Sequence, residues 1–141
     1  MREILFRGIV LENNKWNGKW IYGDLIHNVD CLKIREQEIE INHIAKSFII
    51  DENTLGQFTG LLDKNGNKIF EGDILKDGFM DDIYVVFYSE KHLTYMVRTY
   101  YYLDDEYSTM RELKEKITDY DISNWVIIGN IHDNKELVYE K

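Results

Sequence analysis

Short apolar runs separated by turn-forming residues recur along the whole chain. The central stretch 56–78 carries a glycine every four to six residues, and branched or aromatic residues fill the intervals. This punctuation is typical of short strands joined by tight turns. Asp63 opens and Gly66 closes one such turn, which fits a type I turn followed by a left-handed glycine or a type I′ turn centred on Asn65 and Gly66. Either turn predicts a β-hairpin within this stretch.

The flanking segments carry the same strand signals. Branched and aromatic residues predict further strands at 3–11, 19–27, 83–88, 93–103 and 125–131. We expect the first two to form one hairpin and the next two another. Gly8 fits a β-bulge in the first strand. Residues 31–41 fit an exposed strand or a short helix, and residues 51–54 fit a loop or a single helical turn.

One segment has a helical pattern. Thr109 stands three residues before Glu112, as in a capping box, and apolar residues follow at helical spacing. We predict a helix near 109–118. The fold class is therefore mostly β with one short helix, either a small, partly open barrel or two packed antiparallel sheets. The N-terminal hairpin and the 57–76 block should pack together, with core positions at Leu61, Ile69, Ile74, Val86 and Ile128.

Length and composition narrow the class of protein. The chain has 141 residues, which suits a single domain over 1–141, with room for two sub-lobes in the N-terminal hairpin region and in 57–141. Its net charge of −9 disfavours nucleic acid as a partner, because a phosphate backbone is repelled at long range. The lone Cys31 cannot form an internal disulfide, which favours a reducing compartment. No signal peptide or apolar run of membrane-spanning length is visible, so we expect a cytoplasmic protein without membrane contact.

Four separated segments carry a family resemblance: FRG near the start, WIYGDLI, the central LGQFTGLLDKNGNKIFEGDIL and the late VIIGNIHDNKEL. In this order they resemble the YopX family of phage and prophage proteins from low-GC Gram-positive bacteria. The resemblance spans nearly the whole chain, although the family usually has a proline where Lys135 stands here. It implies a small, mostly β protein that acts in the cytoplasm of the bacterial host, and it implies no biochemical activity. The matching residues are Phe6, Arg7, Gly8, Trp20, Tyr22, Gly23, 56–60, Asp63, Lys64, Asn65, Gly66, Ile69, Glu71, Gly72, Asp73, Ile128, Gly129, Asn130 and Asn134.

The turn of the central hairpin imitates a calcium-binding loop. Asp63, Asn65 and Asn67 are spaced like the first three ligands of an EF-hand. However, Lys68 and Ile74 stand where that loop needs a glycine and a bidentate glutamate. We therefore interpret the three residues as turn formers.

Two other acidic features allow a chemical hypothesis beside a structural one. Glu71 and Asp73 flank Gly72 and could form a general acid–base pair, but such a triplet more often turns the chain while the aspartate caps backbone donors. Asp81 and Asp82, together with the acids at 104–106, could bind a divalent cation. A run of acids is more often a solvated surface. A metal-dependent enzyme is thus the less favoured alternative.

The cysteine and the histidines are not spaced along the sequence like the ligands of a metal site. Cys31 lies four residues from His27, and His43, His92 and His132 are scattered, whereas a structural zinc site needs four ligands. The motifs of hydrolases and nucleotide-binding proteins are also missing from the sequence. We therefore predict no catalytic, cofactor-binding or metal-binding residue, and no cofactor.

Aromatic residues supply the interaction candidates. Arg98 precedes the run Tyr100, Tyr101 and Tyr102, whose side chains would alternate between the two faces of a strand. Aromatic side chains and arginine anchor protein interfaces and also stack on single-stranded bases. Trp16, in the polar turn of the first hairpin, is a further candidate.

These observations predict a non-enzymatic accessory protein that binds a host or phage protein, and the family resemblance implies its phage or prophage origin. Single-stranded nucleic-acid binding on an aromatic sheet face is the alternative. We also expect homo-oligomerisation, because short sheets have edges that need covering.

Overall fold

The computed structural model describes residues 2–36, 46–79, 82–99, 110–112 and 124–139. The chain divides into two compact units, Met1–Phe58 and Thr59–Lys141. The strands are β1 (Phe6–Ile9), β2 (Trp20–His27), β3 (Leu32–Glu36), β4 (Ser47–Ile49), β5 (Gly56–Leu62), β6 (Lys68–Phe70), β7 (Asp73–Asp77), β8 (Ile83–Ser89), β9 (Thr94–Thr99), β10 (Met110–Glu112) and β11 (Trp125–Asn130). A 3-10 turn covers Glu52–Thr54, and helix α1 covers Glu136–Tyr139.

The strands form two antiparallel sheets. One has the hydrogen-bonded order β4-β3-β2-β1-β5-β6, and the other has the order β10-β9-β8-β7-β11. Neither order closes into a barrel within the described part of the chain. The predicted mostly β fold is confirmed in the form of two sheets. The strand expected within 31–41 is β3, and residues 37–41 lie outside the described residues.

The first unit is built on the predicted N-terminal hairpin. β1 and β2 pair from Phe6 opposite Gly23 to Ile9 opposite Trp20. β1 also pairs with the start of β5, at Gln57 and Gly56. Residues of β2, β3 and β4, together with the bridged pair Val10 and Ile50 that follows β1 and β4, form one buried apolar cluster, made of Val10, Ile21, Ile34, Phe48 and Ile50. This cluster is what holds the strands of the unit together, since each strand alone has too small an apolar face.

Gly8 does not form the predicted bulge. It pairs with Ile21 in an unbroken register between β1 and β2. A Cβ atom added to it would lie 2.7 Å from Cδ1 and 3.1 Å from Cβ of Ile50, which is itself 3% exposed. The position therefore needs glycine, because the buried Ile50 occupies the space that a side chain at position 8 would fill.

The central hairpin is confirmed, and its turn is type I. The amide of Gly66 donates to the carbonyl of Asp63 at 3.0 Å, and Gly66 has a φ of 82°. Among the described residues Leu93 is the only non-glycine residue with positive φ, so Asn65 lacks the left-handed conformation that a type I′ turn requires. The left-handed glycine then returns the chain into β6.

The second unit buries both faces of its central strands. The consecutive residues Ile74 and Leu75 point to opposite faces of β7, and both are completely buried. On one face the apolar cluster consists of Ile69, Leu75, Tyr84, Val86, Val97 and Trp125, with the Tyr84 and Trp125 rings stacked at 4.7 Å. On the other face Val138 of α1 packs with Ile74 and Val85. A strand buried on both faces is why residues 83–88 form a nearly continuous apolar run.

The helix predicted near 109–118 is wrong where the structure describes it. Met110–Glu112 form β10, which pairs with β9 from Met110 opposite Arg98 to Glu112 opposite Met96. Ladder hydrogen bonds to a neighbouring strand outweigh the local preference of a capping-box sequence. Residues 109 and 113–118 lie outside the described residues.

Of the five predicted core residues, Ile128 is the one that the structure contradicts. It is 37% exposed, whereas Ile69, Ile74 and Val86 are at most 1% exposed. The pairing register of β11 on β7 shifts between Ile127 and Gly129, which leaves Ile128 as the extra residue of a bulge. Leu61 is partly buried against the cluster around Val86.

The close contact at Gly8 predicts a specific coupling with Ile50. Gly8→Ala should lower the free energy of unfolding by about 1–3 kcal/mol, because the new methyl group meets the isoleucine side chain. Ile50→Val removes the nearest atom, so the same glycine substitution should cost less in that background. Urea unfolding of the wild type, both single variants and the double variant measures the coupling. Additive losses would contradict a steric origin.

Candidate functional site

The loop between β1 and β2 presents Trp16 on a hydrogen-bonded frame. The amide of Trp16 donates to the side-chain oxygen of Asn14 at 2.8 Å, and its carbonyl accepts from the amide of Lys19 at 3.1 Å. The amide of Gly18, which has a φ of 81°, donates to the carbonyl of Val10 at 2.9 Å. These bonds fix the loop that carries the indole.

Three lysines gather around the Trp16 ring. The Nζ atoms of Lys19, Lys15 and Lys46 lie 5.0, 5.4 and 5.6 Å from its centroid. The ring is half-buried because it packs edge to face on Phe48 of the core cluster, at 5.4 Å between centroids. All three lysines are exposed. Electrostatic attraction to the face of the indole offsets part of the repulsion among the ammonium groups.

Glu12 brings Lys46 to the loop. One carboxylate oxygen of Glu12 accepts the amide of Ile49 in β4 at 2.8 Å, and the other accepts from the side chain of Asn14 at 2.7 Å. The amide of Leu11 also donates to the carbonyl of Ile49 at 2.9 Å. Because Lys46 immediately precedes β4, this junction places it beside the lysines of the loop.

We call this group the Trp16 surface and define it as Leu11, Lys15, Trp16, Lys19 and Lys46. Leu11 adds an apolar side chain that is 59% exposed. The surface therefore combines an aromatic residue, an exposed leucine and three positive charges on a protein whose net charge is −9. Chemically it is suited to bind a group that carries negative charge beside apolar atoms.

Arg98, the second interaction candidate within the described residues, lies in β9 of the second unit. It pairs with Val85 of β8, and its guanidinium carbon lies 5.0 Å from the centroid of the Phe87 ring. It is half-buried, so its planar group is packed on an aromatic ring instead of projecting freely. Tyr100, Tyr101 and Tyr102 lie outside the described residues.

The turn that imitates a calcium loop is a structural junction. Asp63 is 5% exposed, and one of its carboxylate oxygens accepts the amides of Asn65 at 2.9 Å and Asn67 at 2.8 Å. The other oxygen accepts the amide of Ile127 in β11 at 3.1 Å. Beside it, the amide of Lys64 donates to the carbonyl of Trp125 at 2.9 Å. The carboxylate thus shapes the turn and ties it to the last strand.

These contacts set the direction of the Asp63 pKa. Burial alone would raise the pKa, but the hydrogen bonds from the amides of Ile127, Asn67 and Asn65 stabilise the charged form and hold the pKa below its ordinary value of 3.8. Because the carboxylate accepts this set of backbone donors, its role is structural. The interpretation of this motif as a turn agrees with its geometry.

Glu71, Gly72 and Asp73 also turn the chain. Asp73 begins β7, is 2% exposed, and accepts the amide of Phe70 at 2.7 Å. Gly72 has a φ of 87°, donates to the carbonyl of Val86 at 2.8 Å and accepts from the amide of Ile131 at 2.9 Å. The triplet therefore closes a tight corner between strands, as its structural interpretation predicts.

The remaining polar candidates are the cysteine, the histidines and the other acidic residues. Within those residues no group of three or more His, Cys, Asp or Glu side chains is arranged to hold a metal ion. Cys31 is half-buried, and its Sγ lies 4.0 Å from the side-chain nitrogen of Asn28. Asp82 accepts from the Tyr84 hydroxyl at 3.2 Å, while Asp81 and the acids at 104–106 lie outside the described residues.

Sequence reasoning found Trp16 but missed the lysines around it. Lys15 and Lys19 flank the tryptophan closely in sequence, so the string KWNGK is a usable signal for part of the surface. Lys46 has no such signal, because it reaches the ring only through the pairing of Leu11 and Glu12 with β4.

Within the described residues, no helix has the length and apolar character that a bilayer crossing needs.

Comparisons with known proteins identify a family and a shared fold, and they name no activity. The family model described as "YopX protein" matches residues 5–139. Among solved structures, the chain is similar to protein EF1440 from Enterococcus faecalis, with 19% sequence identity and a TM-score of 0.54 over 98% of this chain and 99% of that one. At this identity the likeness shows a shared fold alone. No curated protein matches the chain.

The Asp63 junction predicts an acid-dependent loss of stability. Because the folded pKa lies below the unfolded value of 3.8, ionised Asp63 stabilises the fold above that pH, and this contribution is lost as pH falls through the folded pKa. Asp63→Asn keeps one acceptor oxygen but turns an amide donor toward the Ile127 amide. It should lower the free energy of unfolding at pH 7 by about 2–3 kcal/mol and flatten its pH dependence below pH 3.8.

Chemical denaturation between pH 2.5 and 7 measures both effects. Asp30→Asn is the matched control, since it removes the same charge from an exposed turn residue. It should change the unfolding free energy by about 0.5 kcal/mol or less. Equal losses in the two variants would show that the Asp63 contacts contribute nothing special.

Proposed function

The chain belongs to the YopX family, and from this we propose that it is a non-enzymatic accessory protein of phage or prophage origin that binds another protein, of the host or the phage, in the bacterial cytoplasm. The Trp16 surface is the observation that carries the binding part of the proposal. Tryptophan anchors protein interfaces because it buries a large apolar area with few rotatable bonds. Here the ring stands on a hydrogen-bonded loop, so little conformational entropy is lost on binding.

The construction of the polar motifs supports the same proposal. Asp63 of the calcium-like loop and Asp73, which with Glu71 was the possible acid–base pair, both accept backbone amides of their own unit. Their geometry supports a structural purpose and offers no support for a general acid–base pair. The proposal therefore assigns no catalytic step to them.

Nucleic-acid binding is the less supported alternative. The π surface of Trp16 is already approached by three ammonium groups of the chain, and the guanidinium of Arg98 packs on Phe87. A base would have to displace these cations before it could stack. The net charge of −9 also disfavours a long phosphate backbone.

A photo-cross-linker placed at the Trp16 surface tests the proposal. Benzoylphenylalanine in place of Leu11, which is 59% exposed, should give one discrete cross-linked protein in lysate from a Gram-positive host that carries a related prophage. The same amino acid in place of Val29, which is fully exposed in another turn, is the control and should not give that product. Identical products at both positions, or none at Leu11, would argue against binding at this surface.

Self-association is part of the proposal, since edge strands of short sheets are commonly covered by pairing with another copy. Sedimentation equilibrium of the purified chain should return at least twice the mass of one chain. A mass of a single chain over the whole concentration range would remove this part of the proposal and leave the partner-binding part unaffected.

A further inference from the structure

We infer that the Trp16 surface binds an acidic segment of its protein partner, in which carboxylates lie beside an apolar residue. This inference rests on the proposed protein-binding function and names the chemistry of the partner. Its basis is the presence of three ammonium groups around one aromatic ring, together with the exposed Leu11 at the start of the same loop.

The positive charges are concentrated. All three Nζ atoms lie within 5.6 Å of one ring centroid, although they come from different parts of the sequence. Like charges repel one another, and an anion seated among the three ammonium groups would relieve that repulsion. Lys15, Lys19 and Lys46 are exposed, so a bound anion can reach their ammonium groups.

Glu12, an acidic residue of this loop, is hydrogen-bonded within the protein. Both carboxylate oxygens of Glu12 accept hydrogen bonds, one from the amide of Ile49 and one from the side chain of Asn14. Glu12 therefore holds the loop that carries Lys15 and Lys19 against β4, which follows Lys46. Its displacement by a ligand would break the junction between the loop and β4.

The range of electrostatic forces favours a short acidic segment over a long polyanion. At physiological ionic strength the screening length is about 8 Å, so charges much farther away than this contribute little to binding. A few carboxylates seated on the cluster sense mainly these lysines. A long nucleic acid would extend beyond them over a protein whose net charge is −9. Carboxylates are thus the favoured anion, and an aromatic or aliphatic neighbour would contact Leu11 and the edge of Trp16.

Fluorescence anisotropy with labelled hexaglutamate tests this inference on the full chain. The peptide should bind at low ionic strength, and the affinity should fall as salt rises. The triple variant Lys15→Gln, Lys19→Gln and Lys46→Gln should weaken binding by about tenfold, as expected for three partly exposed ion pairs. The charge-retaining triple variant with arginine at the same positions should bind within about twofold of the wild type.

A second triple variant separates the local cluster from net charge. Lys64→Gln, Lys91→Gln and Lys135→Gln remove the same total charge from other exposed positions. These changes should alter peptide affinity by less than about twofold. Equal losses in both glutamine variants, or no binding of hexaglutamate by the wild type, would overturn the inference. Tighter binding of labelled hexathymidylate than of hexaglutamate would replace it with a nucleic-acid site.

The cross-linking experiment distinguishes failure of this inference from failure of the proposed function. If the product formed at Leu11 persists unchanged in the triple glutamine variant, the surface binds a protein by other means and the acidic-segment inference is wrong. If hexaglutamate binds as expected but no protein is cross-linked, the anion preference stands and the proposed protein partner is wrong. Thermal unfolding of each variant checks that the fold is retained.

Discussion

One buried carboxylate joins the central hairpin of this protein to its last strand. Asp63 accepts two amides of its own turn and the amide of Ile127 in β11, while Lys64 donates to the carbonyl of Trp125 alongside. Removing the carboxylate would leave those partly buried donors without an acceptor, which costs more than the bonds themselves contribute. The carboxylate therefore both shapes the turn and attaches it to β11, next to Trp125, whose ring stacks on Tyr84.

The sequence pattern predicted strands well, because short runs of branched and aromatic residues between glycines seldom form any other secondary structure. It could not choose between two turn types at Asn65, since the choice depends on how Asp63 bonds to the surrounding amides. It assigned Gly8 to a bulge, although the glycine is required by Ile50, which lies more than forty residues later in the chain. The helix proposed at Thr109 failed at 110–112 for a related reason, because strand pairing outweighs a local capping signal.

The residues that carry the family resemblance explain the fold better than they explain the function. Gly8 makes room for a buried side chain, Asp63 and Asp73 hold backbone amides, and Gly129 lies so close to the side chain of Asn134 that a Cβ atom would overlap it. The proposed binding surface lies outside that set of residues. Its lysines could not be predicted together, because Lys46 joins Trp16 only through tertiary pairing. This separation lets a shared fold carry different partners.

The most direct test of this account is the titration of the Asp63 carboxyl carbon, followed by carbon-13 NMR in the intact protein. If the carboxylate is held by the amides of Asn65, Asn67 and Ile127, its midpoint falls below the ordinary value of 3.8. A midpoint at or above that value would show that burial outweighs the hydrogen bonds. The junction between the central hairpin and β11 would then not rest on this charge.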